Sequence, residues 1–173
     1  MNKQNAFNIF FRYFILLILG LGNLFIFYVI FTPLTIYPVK FILSLFYSLE
    51  LSGNSLIVNG YTIQLIEACI AGAAYYLLTI LNLATPMPSK KRLYSLLFSF
   101  TTLLFLNISR IVILSILFVN NSAYFDFSHK FFWYWLSTIF VVVIWFLTVY
   151  KFQIENIPFY SDFLSFKKII RKN

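Results

Sequence analysis

Four segments of this chain are apolar over lengths close to those of membrane-spanning helices, which need about 20 residues to cross a bilayer. They cover residues 13–31, 69–84, 93–119 and 131–150. Of the whole chain, 61% is hydrophobic and only 10% is charged, whereas soluble domains carry about 25% charged residues. The pattern therefore predicts an all-α integral membrane protein with about four transmembrane helices.

The region between the first two segments contains a shorter apolar run, VKFILSLFYSLEL. Lys40 and Glu50 bracket this run, and the stretch between them is too short for a transmembrane helix. Pro33 and Pro38 precede it and are expected to end the first helix, because proline lacks the N–H that a helix interior uses. Residues 39–51 are therefore predicted to form an interfacial or re-entrant helix.

A short β-hairpin is predicted directly after this run. Two β-rich segments, Ser55–Val58 and residues 61–66, flank Asn59 and Gly60. Asn-Gly between such segments favours a type I′ turn, in which both turn residues need positive φ. A lone hairpin cannot cross hydrocarbon, because its edges leave backbone groups unpaired. The hairpin is therefore expected on one face of the membrane, just before Cys69.

The basic residues predict the orientation in the plasma membrane. With four crossings, only Lys40, Arg110 and Lys130 fall on or near one side, and the positive-inside rule makes the other side cytoplasmic. Both termini are then cytoplasmic and the hairpin is extracytoplasmic. Residues 1–150 are predicted to form the membrane-embedded domain, and residues 151–173 a basic cytoplasmic tail. The ten cytoplasmic basic residues are Lys3, Arg12, Lys90, Lys91, Arg92, Lys151, Lys167, Lys168, Arg171 and Lys172.

This clustering also explains the net charge of +8. Basic residues beside apolar spans set topology and contact anionic lipid head groups. Membrane lipids are therefore the expected partner of this charge, and nucleic acid is not.

Three residues with reactive or charged side chains are predicted to lie on the outer side of the membrane. Cys69 is the only cysteine, His129 is the only histidine, and Arg110 is the only charged residue within the four apolar segments. At about 1.5 Å per residue, Cys69 and Arg110 lie about 24 and 26 Å above the inner boundary of a core about 30 Å thick. His129 stands just before the last segment, at the outer surface. Asn107 lies one helical turn before Arg110, on the same face.

Each of these residues also has a purely structural interpretation. A cysteine packs well as a small hydrophobe, an arginine near an interface can extend its guanidinium to head groups, and a loop histidine is usually solvated. Asn107 can hydrogen-bond a neighbouring helix, and Glu67 can complement a helix N-terminus. The shared depth of Cys69, Arg110 and His129 favours a common site.

The order of these features resembles the archaeosortase/exosortase family. The likeness rests on a hairpin followed by EACIAG, a positive loop, NISR in the next apolar segment and one histidine before the last segment. It implies an integral membrane cysteine transpeptidase that cleaves a C-terminal sorting signal of exported proteins. Such a signal consists of a short motif, a transmembrane helix and a basic tail. The family's common Cys-Ser-Gly or Cys-Thr-Gly core is replaced here by Cys69-Ile70-Ala71-Gly72.

The resemblance implies that Cys69 is the nucleophile and Arg110 the essential arginine, with His129 as the third catalytic residue. Asn107 and Glu67 are assigned supporting roles. Cys69 would form a thioester with the new C-terminus and pass it to an acceptor amine, for which a lipid head group is one candidate and water is the competitor. Whether His129 acts as a base or as a cation stays open, because the family allows arginine there. No cofactor and no metal is expected.

Two other classes of protein fit the composition: a non-catalytic membrane scaffold and a small transporter or channel subunit. A conduit requires polar residues along the whole depth of several spans. The inner part of the third apolar segment offers only Ser95, Ser99, Thr101 and Thr102, which disfavours a conduit. A scaffold predicts that Cys69 is replaceable.

Overall fold

The computed structural model describes the backbone of residues 3–163 and the side chains of residues 7–133, 135 and 137–163. Most of these residues are helical, and a small antiparallel sheet lies at one end of the helix bundle. Four basic residues of the predicted tail lie outside the described residues: Lys167, Lys168, Arg171 and Lys172. In chain order the elements are α1 (Lys3–Leu21), α2 (Phe25–Ser44), β1 (Leu49–Ser52), β2 (Ser55–Val58), β3 (Tyr61–Gln64), α3 (Glu67–Ile70), α4 (Gly72–Leu83), α5 (Ser89–Val119), α6 (Phe125–Phe131), a π-helical turn (Phe132–Leu136) and α7 (Ser137–Phe152).

Helices α1 and α2 replace the single helix predicted over residues 13–31. Asn23 and Leu24 have positive φ angles of 48° and 60°, and this left-handed step separates the two helices. Both helices nevertheless advance along the bundle in the same direction. Phe27 packs in the central core, whereas Leu43 packs against the sheet. The sequence signal for the break is the Gly-Asn pair before Leu24, because both residue types tolerate the left-handed region.

The predicted helix break at Pro33 and Pro38 is wrong, and so is the separate interfacial or re-entrant helix over residues 39–51. Helix α2 continues through both prolines, and β1 occupies part of the remaining run. Each proline removes a helical hydrogen bond, but α2 buries Phe31 and Val39 against its neighbours. This packing offsets the loss, and a propensity argument does not include it.

The predicted β-hairpin is confirmed. Val58 of β2 pairs with Tyr61 of β3, and the φ angles of Asn59 and Gly60 are 48° and 86°, as a type I′ turn requires. The sequence analysis missed the third strand, β1, which pairs with the other side of β2 in the order β1-β2-β3. Leu56 of β2 is fully buried between the sheet and the ends of α2 and α5.

The helix predicted over residues 69–84 is also divided. Ala71 adopts a left-handed φ of 62° and separates the one-turn helix α3 from α4, where a single helix was predicted over residues 69–84. Gly72 then opens α4 in contact with α2. A Cβ at this position would come 2.6 Å from the ring of Tyr28, so only glycine allows the two helices to approach this closely.

The last two predicted helices agree better with the observed helix bounds. Helix α5 ends at Val119 as predicted and begins a few residues before the predicted start. The helix predicted over residues 131–150 appears as α6, the π-helical turn and α7 in continuous succession. His129 therefore lies in a helix and not in the predicted loop.

The two ends of the bundle differ in what they carry. We call the end with the strands and α6 the sheet end, and the end with the α4–α5 turn and residues 153–163 the terminal end. At the terminal end, the backbone N–H of Phe159 donates to Ala84 O at 3.1 Å, and Asp162 is buried against α1. The first part of the predicted tail over residues 151–173 is thus packed on the bundle.

Helices α2 and α5 are long and apolar enough to cross a membrane, judged by length and composition. Only 33% of the apolar window of each helix is buried. Large apolar side chains are exposed along α1, α2, α5 and α7, among them Phe10, Leu17, Phe25, Phe41, Phe105, Phe146 and Tyr150. The outer surface of the bundle is therefore predominantly apolar.

Candidate functional site

Cys69 lies in the one-turn helix α3, at the sheet end. The left-handed residue Ala71 stops α3 immediately afterwards, and carbonyls in the last turn of a helix have no partner within it. The carbonyls of Cys69 and Ile70 therefore need other donors. Because α4 begins only at Gly72, Cys69 belongs to a separate helical turn that precedes α4, and not to one continuous helix over residues 69–84.

Asn107 and Arg110 of α5 supply those donors. Asn107 Nδ2 donates to the carbonyl of Cys69 at 2.8 Å and to that of Ile70 at 3.4 Å. Arg110 Nη2 also donates to the carbonyl of Cys69, at 3.4 Å. Two side chains spaced one helical turn apart thus hold the backbone on which the thiol is carried, as their common helical face predicts.

Arg110 is buried without a counter-ion. Its side chain is only 9% exposed, and among the described residues no carboxylate lies within salt-bridge distance of it. Arg110 Nη1 donates to Ser137 Oγ at 3.0 Å, and Ser137 in turn donates to the carbonyl of Phe132 in the π-helical turn. Arg110 Nε is buried and has no hydrogen-bond partner. The Nε–H of this cation is therefore unused.

His129 comes from α6, on the far side of the same space. Its ring stacks on Phe125 with centroids 5.6 Å apart and an interplanar angle of 10°, and Trp133 lies next to it at 6.1 Å. The imidazole is exposed. Within residues 3–163, no hydrogen bond holds either of its ring nitrogens.

Cys69, Arg110 and His129 line a single cavity of about 210 Å³. Strand β3 forms one wall, α5 forms the floor, and α6 with the π-helical turn forms the opposite wall. Most of the lining is apolar or aromatic, and it contains no carboxylate. The remaining lining residues are Thr62, Ile63, Gln64, Leu65, Ile111, Leu114, Ser115, Phe118, Phe125, Phe132 and Trp133.

Glu67 lies elsewhere. It is exposed and lines a separate cavity together with Tyr28 and Thr32 of α2 and the α1–α2 turn. The structure therefore brings four of the five candidate residues together, three around the cavity and Asn107 behind Cys69, and leaves Glu67 outside this group. Among the described residues, no three Cys, His, Asp or Glu side chains gather in an arrangement that could hold a metal ion.

Sequence reasoning missed Ser137 and the β3 residues Thr62 and Gln64. Ser137 had no local signal, because its contact with Arg110 depends on how α7 packs against α5. Thr62 and Gln64 were recognised only as hairpin residues. Their position in the cavity wall follows from the packing of the sheet beside α5, which the hairpin pattern does not specify.

Several polar residues of the bundle interior pair with each other, whereas Thr35 Oγ1, Tyr75 Oη and Asn82 Oδ1 have no hydrogen-bond partner among the described residues. Ser99 and Thr148 share a hydrogen bond of 2.8 Å between α5 and α7, and Asn82 donates to Ser95 between α4 and α5. These pairs connect helices across the core and lie away from the cavity.

Comparison of the chain with protein-family models, with curated proteins and with solved structures finds no significant match.

Proposed function

We propose that this protein is a multi-pass membrane cysteine transpeptidase that cleaves a C-terminal sorting signal of exported proteins. The observation that carries the proposal is a single cavity lined by Cys69, by the buried cation Arg110 and by His129, whose ring nitrogens make no hydrogen bond among the described residues. A thiol, a fixed cation and an imidazole are the groups that acyl transfer through a thioester requires. The resemblance of EACIAG and NISR to the archaeosortase/exosortase family supports the same reaction.

Embedding in the membrane is supported by the exposed apolar surface. A soluble protein would place such side chains inside, whereas about two thirds of the apolar windows of α2 and α5 is exposed or only half-buried. We infer four crossings: α1 with α2, α3 with α4, α5, and α6 with α7. At the division of the first crossing, the N–H groups of Phe25 and Phe27 still donate to Gly22 O and Leu24 O, so a tight turn keeps these backbone groups bonded inside the lipid. Phe27 and Tyr76 pack beside it.

The orientation is proposed from the basic residues. Lys90 and Lys91 lie at the terminal end, and the cavity lies at the sheet end, so the positive-inside rule makes the cavity extracytoplasmic and both termini cytoplasmic. The cavity would then lie near the outer lipid head groups. A substrate whose transmembrane helix is anchored in the same bilayer would present the peptide just outside that helix to Cys69.

The first half of the proposed reaction transfers the acyl group to sulfur. The Cys69 thiolate attacks the scissile carbonyl carbon, and the guanidinium of Arg110 donates to the oxyanion that forms. As the tetrahedral adduct collapses, the C–N bond breaks and His129 gives a proton to the departing amine. The C-terminal helix and tail leave, and the new C-terminus is held as a thioester.

The second half regenerates the enzyme. His129, now neutral, takes a proton from an acceptor amine as the amine attacks the thioester carbonyl. The C–S bond then breaks, the thiolate of Cys69 returns, and the product is an amide. A lipid head-group amine fits the proposed depth of the cavity. Attack by water would give a free carboxylate by the same proton transfers.

The conduit alternative is weakened by the internal pairing of polar residues. Ser99 bonds to Thr148 and Asn82 bonds to Ser95, so these groups hold helices together and do not form an open polar path. The scaffold alternative assigns Cys69 to packing alone. That alternative predicts full processing activity in a Cys69→Ala variant.

A gel-shift assay tests the proposal. An exported reporter domain is fused to candidate sorting signals from the same genome and co-expressed with the wild-type protein, with Cys69→Ala or with Cys69→Ser. We expect cleavage by the wild type only, because alanine removes the nucleophile and a serine hydroxyl is much harder to ionise. Ser109→Ala is the matched control, since Ser109 is half-buried on α5 next to Arg110 and its side chain bonds only to its own helix.

Mass spectrometry of the cleaved reporter identifies the acceptor. An amide at the new C-terminus indicates transpeptidation, and a carboxylate indicates hydrolysis. Processing by Cys69→Ala equal to that of the wild type would contradict the proposed reaction. The orientation has its own test: in the Cys69→Ala background, Asn59→Cys should react with an impermeant maleimide on intact cells, and labelling only after lysis would overturn the topology.

A further inference from the structure

Strand β3 is an edge of the sheet and leaves part of its backbone unpaired. In the register of β2 with β3, Leu56 faces Ile63 and Val58 faces Tyr61. The two-residue turn makes the pair nearest to it hydrogen-bonded, and such pairs alternate along an antiparallel ladder. The N–H and C=O groups of Thr62 and Gln64 therefore point away from β2. Among the described residues, no hydrogen bond occupies these four groups.

This edge borders the candidate site. Thr62, Ile63 and Gln64 all line the cavity that contains Cys69 and Arg110. Cys69 lies five residues beyond the end of β3, so the edge leads toward the thiol. Across the cavity stand the aromatic rings of α6 and the π-helical turn.

The groups around this space are complementary to an extended peptide. The edge alternates two N–H donors with two C=O acceptors, as a peptide backbone does. Arg110, a buried cation whose Nε–H has no partner, lines the same cavity, and the described lining residues include no carboxylate. An occupant that presents an acceptor oxygen there and a strand backbone along β3 would satisfy both sets of groups.

We propose that the substrate segment before the scissile bond binds as an added strand on the free edge of β3. This inference rests on the proposed transpeptidase function. The acyl part of the substrate precedes the scissile bond, and Cys69 lies beyond the C-terminal end of β3. The bound segment therefore runs parallel to β3 and places its last carbonyl at Cys69. Main-chain hydrogen bonds then supply affinity, as in other cases of strand addition.

The same geometry predicts an alternating specificity. Successive side chains of a strand point to opposite sides. Alternate substrate residues therefore face the aromatic wall of Phe125, Phe132 and Trp133, and the residues between them face away. We expect apolar or aromatic residues at the positions that face the wall and wide tolerance at the others.

A chemical test does not require the natural substrate. The probe is N-acetyl-Ala-Phe-Ala chloromethyl ketone, which alkylates a thiol with loss of chloride, and iodoacetamide serves as a probe without a peptide backbone. Gln64→Pro and Thr62→Pro each remove one N–H from the free edge without removing a hydrogen bond of the β2–β3 ladder. Gln64→Ala and Thr62→Ala are the matched controls, because they remove the side chain and keep the N–H.

We expect each proline variant to slow alkylation of Cys69 by the peptide reagent about fivefold, the effect of one net hydrogen bond. Alkylation by iodoacetamide should not change, and each alanine variant, which keeps the N–H, should react with the peptide reagent faster than its proline counterpart. Equal rates for the proline variants and the wild type would overturn the proposal. An equal loss in the proline and alanine variants would also overturn it, because the side chain would then be the contact.

A second measurement covers the case in which proline distorts the strand and lowers the iodoacetamide rate as well. Three versions of the peptide reagent, each N-methylated at one residue, are compared on the wild-type protein. Strand addition predicts an alternating pattern of slow and normal rates, and a uniform pattern contradicts it. If the reporter is cleaved but the alkylation rates of the N-methylated reagents are uniform, only the strand-addition inference is wrong. If those rates alternate but no reporter is cleaved, only the transpeptidase proposal is wrong.

Discussion

Two arginines are buried to nearly the same extent in this bundle, and their surroundings differ. Arg12 is 7% exposed at the terminal end, where its Nη2 contacts both carboxylate oxygens of Asp162 at 2.6 and 2.7 Å. Its Nη1 donates to the carbonyl of Leu83. Arg110 is 9% exposed at the sheet end and contacts only a hydroxyl and a carbonyl.

The difference separates a structural charge from a charge available for chemistry. A buried cation without a counter-ion is costly, and apolar packing of similar volume would be more stable. The Arg12–Asp162 pair joins the segment after α7 to α1 and leaves no charge uncompensated. Arg110 keeps an unused donor beside a thiol, so the cost of burying it is consistent with a function that needs positive charge. Substitutions at the two arginines and at their neighbours test this contrast between Arg12 and Arg110.

The largest expected effect is on stability at the terminal end. Asp162→Ala leaves Arg12 buried and unpaired, which should lower the free energy of unfolding by about 3–5 kcal/mol. Replacing both partners by apolar residues, Arg12→Met with Asp162→Leu, should restore most of this loss. Unfolding in detergent micelles measures both variants. A change below about 1 kcal/mol in Asp162→Ala would show that the pair is solvated, and the contrast with Arg110 would fail.

The same substitution at both arginines sharpens the comparison. Arg110→Lys keeps the charge but loses the planar set of donors, and losing one oxyanion donor typically costs about 10²–10³ in rate. We expect a loss of this size in reporter cleavage, with a normal amount of protein in the membrane. Arg12→Lys is the control and should leave the cleavage rate per folded molecule unchanged. Wild-type cleavage by Arg110→Lys would reduce Arg110 to a structural residue.

The elements of the fold differ in how well the sequence predicted them. The hairpin was predictable because Asn59-Gly60 is a local signal, and α5 was predictable because its apolar run is long. Helix α2 was not predictable in its full length, because the effect of Pro33 and Pro38 depends on packing against neighbouring helices. The third strand, β1, was hidden in the apolar run before Glu50, where periodicity does not separate a strand from a short helix.

The candidate site followed from depth and sidedness more than from local pattern. Counting residues along two spans placed Cys69 and Arg110 at one level, and the cavity contains both. The contacts themselves were not predictable. The unused N–H of Arg110, its bond to Ser137 and the position of Glu67 in another cavity all depend on side-chain packing. The Arg12–Asp162 pair at the terminal end was equally unpredictable, because the sequence indicated only that Arg12 contributes to membrane orientation.

A third test concerns His129, which is exposed and held by ring stacking. If His129 is the general base, His129→Ala and His129→Arg should both lower the cleavage rate, by about a hundredfold. Arginine cannot accept a proton near neutral pH, so equal loss supports a base. If the residue acts as a cation, arginine should recover much of the activity that alanine loses. We propose the base, and substantial recovery in His129→Arg would contradict it while leaving Cys69 and Arg110 in place.

The smallest expected effect compares two buried asparagines, one at each end. Asn107 holds the Cys69 carbonyl, and Asn82 bonds to Ser95 in the bundle interior. Asn107→Leu removes the side-chain donor to the Ile70 carbonyl, and Asn82→Leu removes the donor to Ser95 Oγ, which still donates to Arg92 O. Both variants should lower the free energy of unfolding by about 1 kcal/mol, the net worth of one hydrogen bond.

Only Asn107→Leu should also change the chemistry. Asn107 positions the backbone that carries the thiol, so its loss should lower the maximal cleavage rate about tenfold, roughly 1.4 kcal/mol of barrier, with little change in KM. The rate of Cys69 alkylation by iodoacetamide reports the same misplacement without substrate and should differ from the wild type only in this variant. If Asn82→Leu lowers cleavage and alkylation equally, Asn107 acts through overall stability and has no positioning role.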